Sequence, residues 1–178
     1  MTADQIAAWL GSFMDIELTL IDASAIALTS INDRPAACTV GFSQVDTGLS
    51  LDDDPTTAVR CEIVAAGVVD KHTLGRAVVA AAREIETLGV PAQPGVLLEG
   101  VLDGLGADVR HGWLREPELF DRGTPLYREP GQLTLLLELV GLTDEEFDIA
   151  REQGLDVLSR RLRRRGTDAG QWLSLIHI

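Results

Sequence analysis

Two kinds of residue in this chain could support acid–base chemistry, and they lie far apart in the sequence. The histidines to consider are His72 and His111, because His177 falls in the terminal segment 173–178, which differs from the rest of the chain. Glu138 interrupts the apolar run 133–140, where a carboxylate is costly unless it is paired. A catalytic interpretation would bring Glu138, His111 and an aspartate together in one cleft.

The other interpretation of Glu138 is structural. A buried carboxylate is stabilised by a charged neighbour, and we expect that neighbour to be Arg110 or Arg128. The sequence assigns no second polar group to the side of Glu138. We therefore predict a structural role, and we keep a small enzyme of unrecognised type, using Glu138 and His111 in a cleft, as the alternative.

The cysteines and the acidic loop give no sign of a metal or a nucleophile. Cys38 and Cys61 each lie within apolar alternation, which is typical of buried structural thiols. The cysteines and histidines do not occur in closely spaced pairs, as zinc ligands do. The acidic run 52–54 lacks the glycine and the bidentate glutamate of a calcium loop, with Thr57 and Ile63 in their places. We predict no catalytic residue, no metal ligand, no cofactor and no enzymatic activity.

The charge of the chain is strongly acidic. It has 15 basic and 28 acidic residues, a formal net charge of −13. The first 158 residues are more acidic still, with 10 basic against 27 acidic side chains, or −17. The one basic patch in the sequence is an arginine cluster near the end of the chain: Arg160, Arg161, Arg163, Arg164 and Arg165. Such a field disfavours nucleic acid and anionic membranes and favours a basic protein partner, with solubility alone as the other explanation.

The compartment and source follow from composition. Two cysteines without a disulfide-type pattern suit a reducing cytoplasm. The start of the chain lacks the basic stretch and apolar core of a signal peptide, and no run reaches the roughly 18 apolar residues of a membrane span. One lysine among 15 basic residues indicates a high-GC bacterial genome. We expect a bacterial cytoplasmic protein.

The hydrophobic pattern predicts an α+β fold. Apolar residues with helical spacing predict helices over 2–13, 70–88, 143–153 and 155–165. Period-two patterns predict strands over 16–21, 25–31, 39–45, 59–65, 109–114, 126–128 and 133–142. The last two flank a Pro130–Gly131 turn, and the longest strand is apolar on both faces, which is typical of a central strand. Short turns without a βαβ rhythm predict a mixed, mostly antiparallel sheet with helices packed on it.

The end of the chain differs from what precedes it. Residues 173–178, Leu-Ser-Leu-Ile-His-Ile, have neither caps nor periodicity and are similar to the translation of a sequencing adapter. We predict a single domain over residues 1–172 and a non-native tail over 173–178, with the natural sequence differing after about Trp172.

Several segments of the C-terminal half together resemble a known family. They are His111-Gly112-Trp113-Leu114 through Pro117, the apolar run Leu133 through Val140, Leu142-Thr143-Asp144-Glu145-Glu146-Phe147, Gly154-Leu155-Asp156-Val157-Leu158, and the Pro94-Gly95 turn. On these segments residues 91–165 resemble the Suppressor of Fused (SUFU) domain. The N-terminal half agrees with that family in length and in the order of its elements.

The resemblance implies an α/β-sandwich-like domain that binds protein. Animal members restrain a transcription factor of the Hedgehog pathway, and bacterial members are proposed to be immunity proteins that neutralise toxins. For a short bacterial member it implies a non-catalytic immunity or regulatory protein that masks its partner. Together with the charge, we expect a basic toxin or regulatory protein as partner. The family pattern assigns no partner-binding residue here, and the oligomeric state stays open.

Overall fold

The computed structural model describes residues 1–164 and Trp172, and it contains a single sheet with helices on both faces. The helices are α1 (Ala3–Gly11), α2 (Lys71–Leu88), α3 (Asp144–Gln153) and α4 (Leu155–Arg164). The strands are β1 (Glu17–Ile21), β2 (Ser24–Ile31), β3 (Arg34–Thr39), β4 (Ala58–Ala66), β5 (Leu97–Leu98), β6 (His111–Arg115), β7 (Leu126–Glu129) and β8 (Gln132–Leu142). This arrangement confirms the predicted α+β class.

The sheet is mixed and mostly antiparallel, as predicted. Its strand order is β1-β2-β3-β4-β8-β6-β5, with β7 paired to β8 beside this path. The pairing of β4 with β8 is parallel, and the other strand pairs are antiparallel. The parallel pair joins two stretches that are more than sixty residues apart in the chain and makes β8 a central strand.

Two tight hairpins build the β1 end of the sheet. The two residues between β1 and β2, Asp22 and Ala23, have φ of 51° and 64°. Asn32 and Asp33, between β2 and β3, have φ of 52° and 64°. Positive φ at both central residues is the type I′ geometry, whose twist matches that of the flanking strands. The first three strands therefore form a continuous antiparallel meander.

The sheet buries both of its faces, which explains its strongly apolar strands. Helix α2 packs across one face, where Ile26, Ile63 and Leu137 are fully or almost fully buried. Helix α1 covers part of the opposite face through Ile6 and Leu10. A third cluster joins α3 and α4 to the β6–β8 end. The structure is thus layered, with the sheet between α1 on one side and α2 on the other.

Gly75 allows α2 to lie close to the β1 end of the sheet. A Cβ atom at this position would come within 2.3 Å of the Cδ1 atom of Ile21 on β1. Only glycine fits this approach without movement of Ile21 or of the helix. The contact fixes β1 against α2 on one face and leaves the other face of β1 to α1.

The caps of the helices agree with the sequence patterns. Capping boxes are present at Thr2 with Gln5 and at Thr143 with Glu146. Asp70 caps α2, which ends at Gly89 in the left-handed region with φ of 66°. The hairpin turn before β8 has Gly131 at φ of 78°, as the predicted turn requires.

The strand predicted over 39–45 is wrong. β3 lies earlier, at Arg34–Thr39, and residues Phe42–Gln44 form a short 3-10 turn. The Asn32–Asp33 turn is followed at once by β3, so Pro35 lies inside that strand. Pro35 is tolerated there because the pairing of β3 with β4 begins one residue later, at Ala36. The 3-10 turn has its cause in Glu62, described below.

The structure describes only part of the C-terminal end for which predictions were made. Trp172 is buried, and its carbonyl accepts a hydrogen bond from the Asp108 N–H at 3.0 Å. The predicted tail over 173–178 and the end of the last helix at Arg165 lie outside the described residues. The domain boundary at 172 therefore stays a prediction.

Candidate functional site

Glu138 is buried on β8 and is paired with an arginine, although not with either expected one. Its Oε2 atom accepts from Arg115 Nε at 2.5 Å, and from the Glu118 backbone N–H at 3.4 Å. Arg115 also lies over the Trp113 ring, 5.4 Å from its centroid. The expectation of Arg110 or Arg128 was wrong because cross-strand register decides the neighbour, and the register places Arg115 directly opposite Glu138.

His111 is also buried, and both of its ring nitrogens are used. The Gly100 N–H donates to Nδ1 at 2.8 Å, so the ring proton lies on Nε2. Nε2 donates to Asp144 Oδ1 at 2.6 Å. The ring stacks on Phe147 with centroids 4.3 Å apart. His111 thus joins β6 to the start of α3.

A polar cluster around Asp144 completes this joint. Arg110 donates from Nη1 to Asp144 Oδ2 at 2.9 Å, and from Nε to Asp103 Oδ1 at 2.7 Å. The hydrogen bond from His111, supported by the Arg110 charge, lowers the pKa of the Asp144 carboxyl below its usual 3.8. Arg110 is therefore paired with Asp103 and Asp144 and not with Glu138.

Glu138 and His111 do not meet in a cleft. Arg115, opposite Glu138, and His111 lie at opposite ends of β6, four residues apart, which corresponds to about 13 Å along a strand. A general base needs an unshared lone pair within reach of its substrate. His111 has none free, because the Gly100 N–H occupies Nδ1. The arrangement of these residues is that of two separate structural contacts.

Glu62 is a third buried ionisable residue, and the sequence reasoning missed it. It is fully buried on β4, and its Oε1 atom accepts from the Thr39 hydroxyl at 2.7 Å. The N–H groups of Gly41 and Phe42 donate to the same atom, each at 3.0 Å, and the N–H of Ser43 donates to Oε2 at 2.8 Å.

These donors explain the 3-10 turn that replaces the predicted strand. The Glu62 carboxylate draws three successive backbone N–H groups toward itself, so the chain leaves the sheet at Thr39. Burial raises the pKa of Glu62, and the hydrogen bonds from Ser43, Thr39 and Gly41 oppose that shift. The only sign of a buried Glu62 in the sequence was its place in the period-two pattern of β4. That pattern does not identify the groups that donate hydrogen bonds to its carboxylate.

The cysteines are buried, and Asp54 of the acidic loop is hydrogen-bonded within that loop. Cys38 and Cys61 are buried free thiols that belong to the cores on opposite faces of the sheet. Burial raises the pKa of both thiols, which disfavours the reactive thiolate. Asp54 accepts hydrogen bonds from Thr56 and Thr57 within its own loop. Within residues 1–164 and Trp172, no group of three or more His, Cys, Asp or Glu side chains could hold a metal ion.

Exposed apolar side chains form a surface at the β1 end of the sheet. Leu18 and Leu20 on β1 are 56% and 73% exposed. They border a groove of about 280 Å³ together with Ala3, Asp4, Ala7, Ala25 and Val40. We call these residues the β1 shelf. The shelf lies on the face of the sheet that α1 covers only in part.

A second apolar groove lies near the β7–β8 hairpin. Its volume is also about 280 Å³, and its walls include Pro94, Pro117, Leu126 and Leu135. Leu126 is 49% exposed, while Leu136 and Leu137 at the base are buried. This groove runs over an interior strand, whereas the β1 shelf borders the edge of the sheet.

No helix in the described part of the chain is long and apolar enough to cross a bilayer.

The sequence matches no protein-family model and no curated protein. Solved structures are similar in fold. A crystal structure described as a putative SUFU homologue from Neisseria gonorrhoeae has a TM-score of 0.68 at 11% identity, over 99% of this chain and 94% of that one. The crystal structure of a Sufu–Fu complex gives 0.63 at 11% identity, over 96% of this chain and 86% of the other.

Drosophila Suppressor of Fused is similar with a TM-score of 0.55 at 12% identity, over 93% of this chain. This chain spans 42% of the length of that protein. Identities near 11% establish the fold and not the activity. The chain is therefore a domain with the Suppressor of Fused fold.

Proposed function

We propose that this protein is a non-catalytic member of the Suppressor of Fused family that binds a basic partner protein in the cytoplasm and masks it. An immunity protein that blocks a toxin, or a regulator that holds its target inactive, would act in this way. Nucleic acid and membrane surfaces are not its targets in this proposal, because both carry the same sign of charge as the chain.

The observation that carries the proposal is the strong negative charge of a chain with this fold. The first 158 residues carry 27 acidic side chains against 10 basic ones. Of the acidic side chains, Glu62 and Glu138 are the buried ones in the described structure. The surface is therefore strongly negative, which speeds encounter with a positive partner and discriminates against negative ones. One structural neighbour is a crystal structure of a complex of Sufu with Fu.

The paired state of the buried ionisable residues supports a binding role over a catalytic one. Glu62, Glu138 and His111 each use their polar atoms in contacts within the fold. A catalytic group must instead present an available proton or lone pair to a substrate. Glu62 and His111 present neither, and the Oε2 atom of Glu138 is bound by Arg115.

The test is capture of the partner by the full-length chain in its host of origin, followed by titration of the purified partner. We expect a single predominant protein with a basic binding region. Its affinity should fall steeply with added salt, and its own activity should be lost at one equivalent of this chain. An unrelated protein of the same net charge is the control bait. The proposal is wrong if only that control's proteins are retained, or if the captured protein keeps full activity when saturated.

A further inference from the structure

The β1 edge of the sheet is available for pairing. β1 is the terminal strand, and no strand of the described chain pairs with its outer side. In an antiparallel ladder every second residue directs its N–H and C=O groups away from its neighbour. β1 pairs with β2 at five successive positions, from Glu17–Leu28 to Ile21–Ser24, without a bulge. The outer side of β1 is therefore a regular row of backbone donors and acceptors.

This edge lacks the cationic, proline and bulge protection that is common at edge strands. Natural edge strands are shielded by charged side chains, especially lysine, by proline, by a bulge or by very short length. The sequence of β1, Glu-Leu-Thr-Leu-Ile, contains neither lysine nor proline. By contrast, β5 at the opposite end of the sheet has only two residues. Leu18 and Leu20 on β1 instead extend the apolar shelf out to the edge.

Carboxylates lie in the groove of the shelf and along the β1 edge. Asp4 lies in the groove itself, and Asp15, Glu17 and Asp22 are exposed before, within and after β1. No ion pair joins these four side chains to another residue of the described chain. A basic group close by is Arg83, which donates to the backbone carbonyl of Asp22 and not to its carboxylate. We call these four carboxylates the rim of the β1 edge. The rim is negative on both faces of β1, because Glu17 alternates with Leu18 and Leu20 and lies on the opposite face from the shelf.

The rim selects between the possible occupants. A second copy of this chain would bring its own four carboxylates to the same rim, and each copy has a net charge of −13. Like charges across an interface suppress association. A strand with apolar residues on one face and lysine or arginine at its ends would match the edge, the shelf and the rim together.

We propose that the β1 edge accepts an apolar β-strand of the partner, flanked by basic residues, as an additional strand of the sheet. This inference rests on the proposed function and names the segment of the partner that is recognised. Backbone hydrogen bonds along β1 would hold the strand, and Leu18 and Leu20 would select its side chains.

The experiment uses the isotope-labelled full chain and a synthetic peptide of alternating valine and threonine with two lysines at each end. The same peptide with glutamates at its ends is the control. We expect saturable amide shifts in β1, β2 and α1 with the lysine peptide and none with the glutamate peptide. Shifts centred on the groove near Leu126, or equal shifts with both peptides, would overturn the proposal.

Variants then test the same surface with the captured partner. Leu20→Lys places a cation on the edge and should weaken binding by about 10- to 30-fold. Leu88→Lys is the matched control, because Leu88 is 53% exposed at the end of α2, away from the shelf, and its replacement should change affinity less than about twofold. Unchanged affinity in Leu20→Lys would refute the β1 site while leaving the proposed function intact.

Self-association provides the last outcome. If the wild-type chain forms a dimer in sedimentation measurements, and Leu20→Lys abolishes it, the occupant of the edge is a second copy and the proposal is wrong. If no partner binds the wild-type chain, the proposed function itself fails, and peptide shifts confined to β1 would then still report the strand-accepting edge.

Discussion

Glu62 in the interior of the sheet is a carboxylate buried away from water, whereas Leu20 at the β1 edge is an apolar side chain exposed to water. Glu62 is fully buried and accepts four hydrogen bonds. Leu20 is 73% exposed, and no strand of the described chain covers the edge beside it. The buried carboxylate is compensated within the fold and the exposed leucine is not. Breaking a compensated contact leaves a buried group unpaired and costs stability, whereas the uncompensated apolar edge is where the proposed partner strand would bind.

The largest expected effect breaks the compensation at Glu62. Glu62→Gln keeps the size of the side chain but turns an amide NH₂ toward a backbone N–H that now donates to a carboxylate oxygen. We expect a loss of about 3–4 kcal/mol in the free energy of unfolding, measured by urea denaturation. Glu17→Gln on the exposed part of β1 is the matched control and should change it by less than about 0.5 kcal/mol. Equal values for the two variants would contradict a structural role for Glu62.

The next effect concerns the pair of Arg115 and Glu138. Arg115→Met leaves a buried carboxylate without its cation and should cost about 2–3 kcal/mol, somewhat less than a fully buried pair because Arg115 is partly exposed. The double variant Arg115→Met/Glu138→Leu should recover most of that loss, since replacing both members of a buried pair with apolar groups is often neutral. Urea denaturation of the wild type, both single variants and the double variant measures the coupling. If the double variant is as unstable as the single one, the pair is not what Arg115 contributes.

A smaller effect concerns Asp144, which is exposed but paired. Its pKa in the folded state is lowered below 3.8, so its ionised form stabilises the fold above about pH 4. That contribution is lost as pH falls through the lower, folded-state pKa. Asp144→Asn should therefore show a shallower loss of stability than wild type when urea denaturation is repeated from pH 5 down to pH 3. Parallel profiles for the two proteins would show that the contact with His111 carries no pH-dependent stability.

The smallest expected effect on stability is at the edge itself. Leu20→Lys should change the free energy of unfolding by less than about 0.5 kcal/mol, because the side chain is mostly in water already. Leu136→Ala, which removes a fully buried leucine from the same sheet, should cost about 2–5 kcal/mol. If Leu20→Lys were as costly as Leu136→Ala, Leu20 would belong to the core and would not differ from Glu62 in being exposed and uncompensated.

Local patterns predicted most of the elements. Helix α2 follows from one apolar stripe, a capping Asp70 and a terminating Gly89, all within a single segment. The capping boxes at Thr2 and Thr143 are predictable from the sequence in the same way. These features depend on neighbours within about four residues, so sequence spacing contains the necessary information. The strand predicted over 39–45 failed because a carboxylate about twenty residues away determines the path of that segment.

The candidate site was much less predictable. Glu138 was identified as a buried acid needing a cation, but the register of β6 against β8 determined that the cation is Arg115. The exposure of Leu18 and Leu20 follows from the terminal position of β1 in the sheet and from the limited cover of α1. Their alternation with Glu17 and Thr19 is equally compatible with a covered strand.

The sequence by itself determined the class of the fold, the central position of β8 and the negative charge of the surface, because periodicity, turn residues and composition act locally or by simple addition. Tertiary structure alone decided which buried charges are paired and which strand lies at the edge. Those outcomes depend on the parallel pairing of β4 with β8 and on strand order, which unite residues far apart in the chain. Pairing at long range is set by the sum of many weak contacts, and no local pattern encodes it.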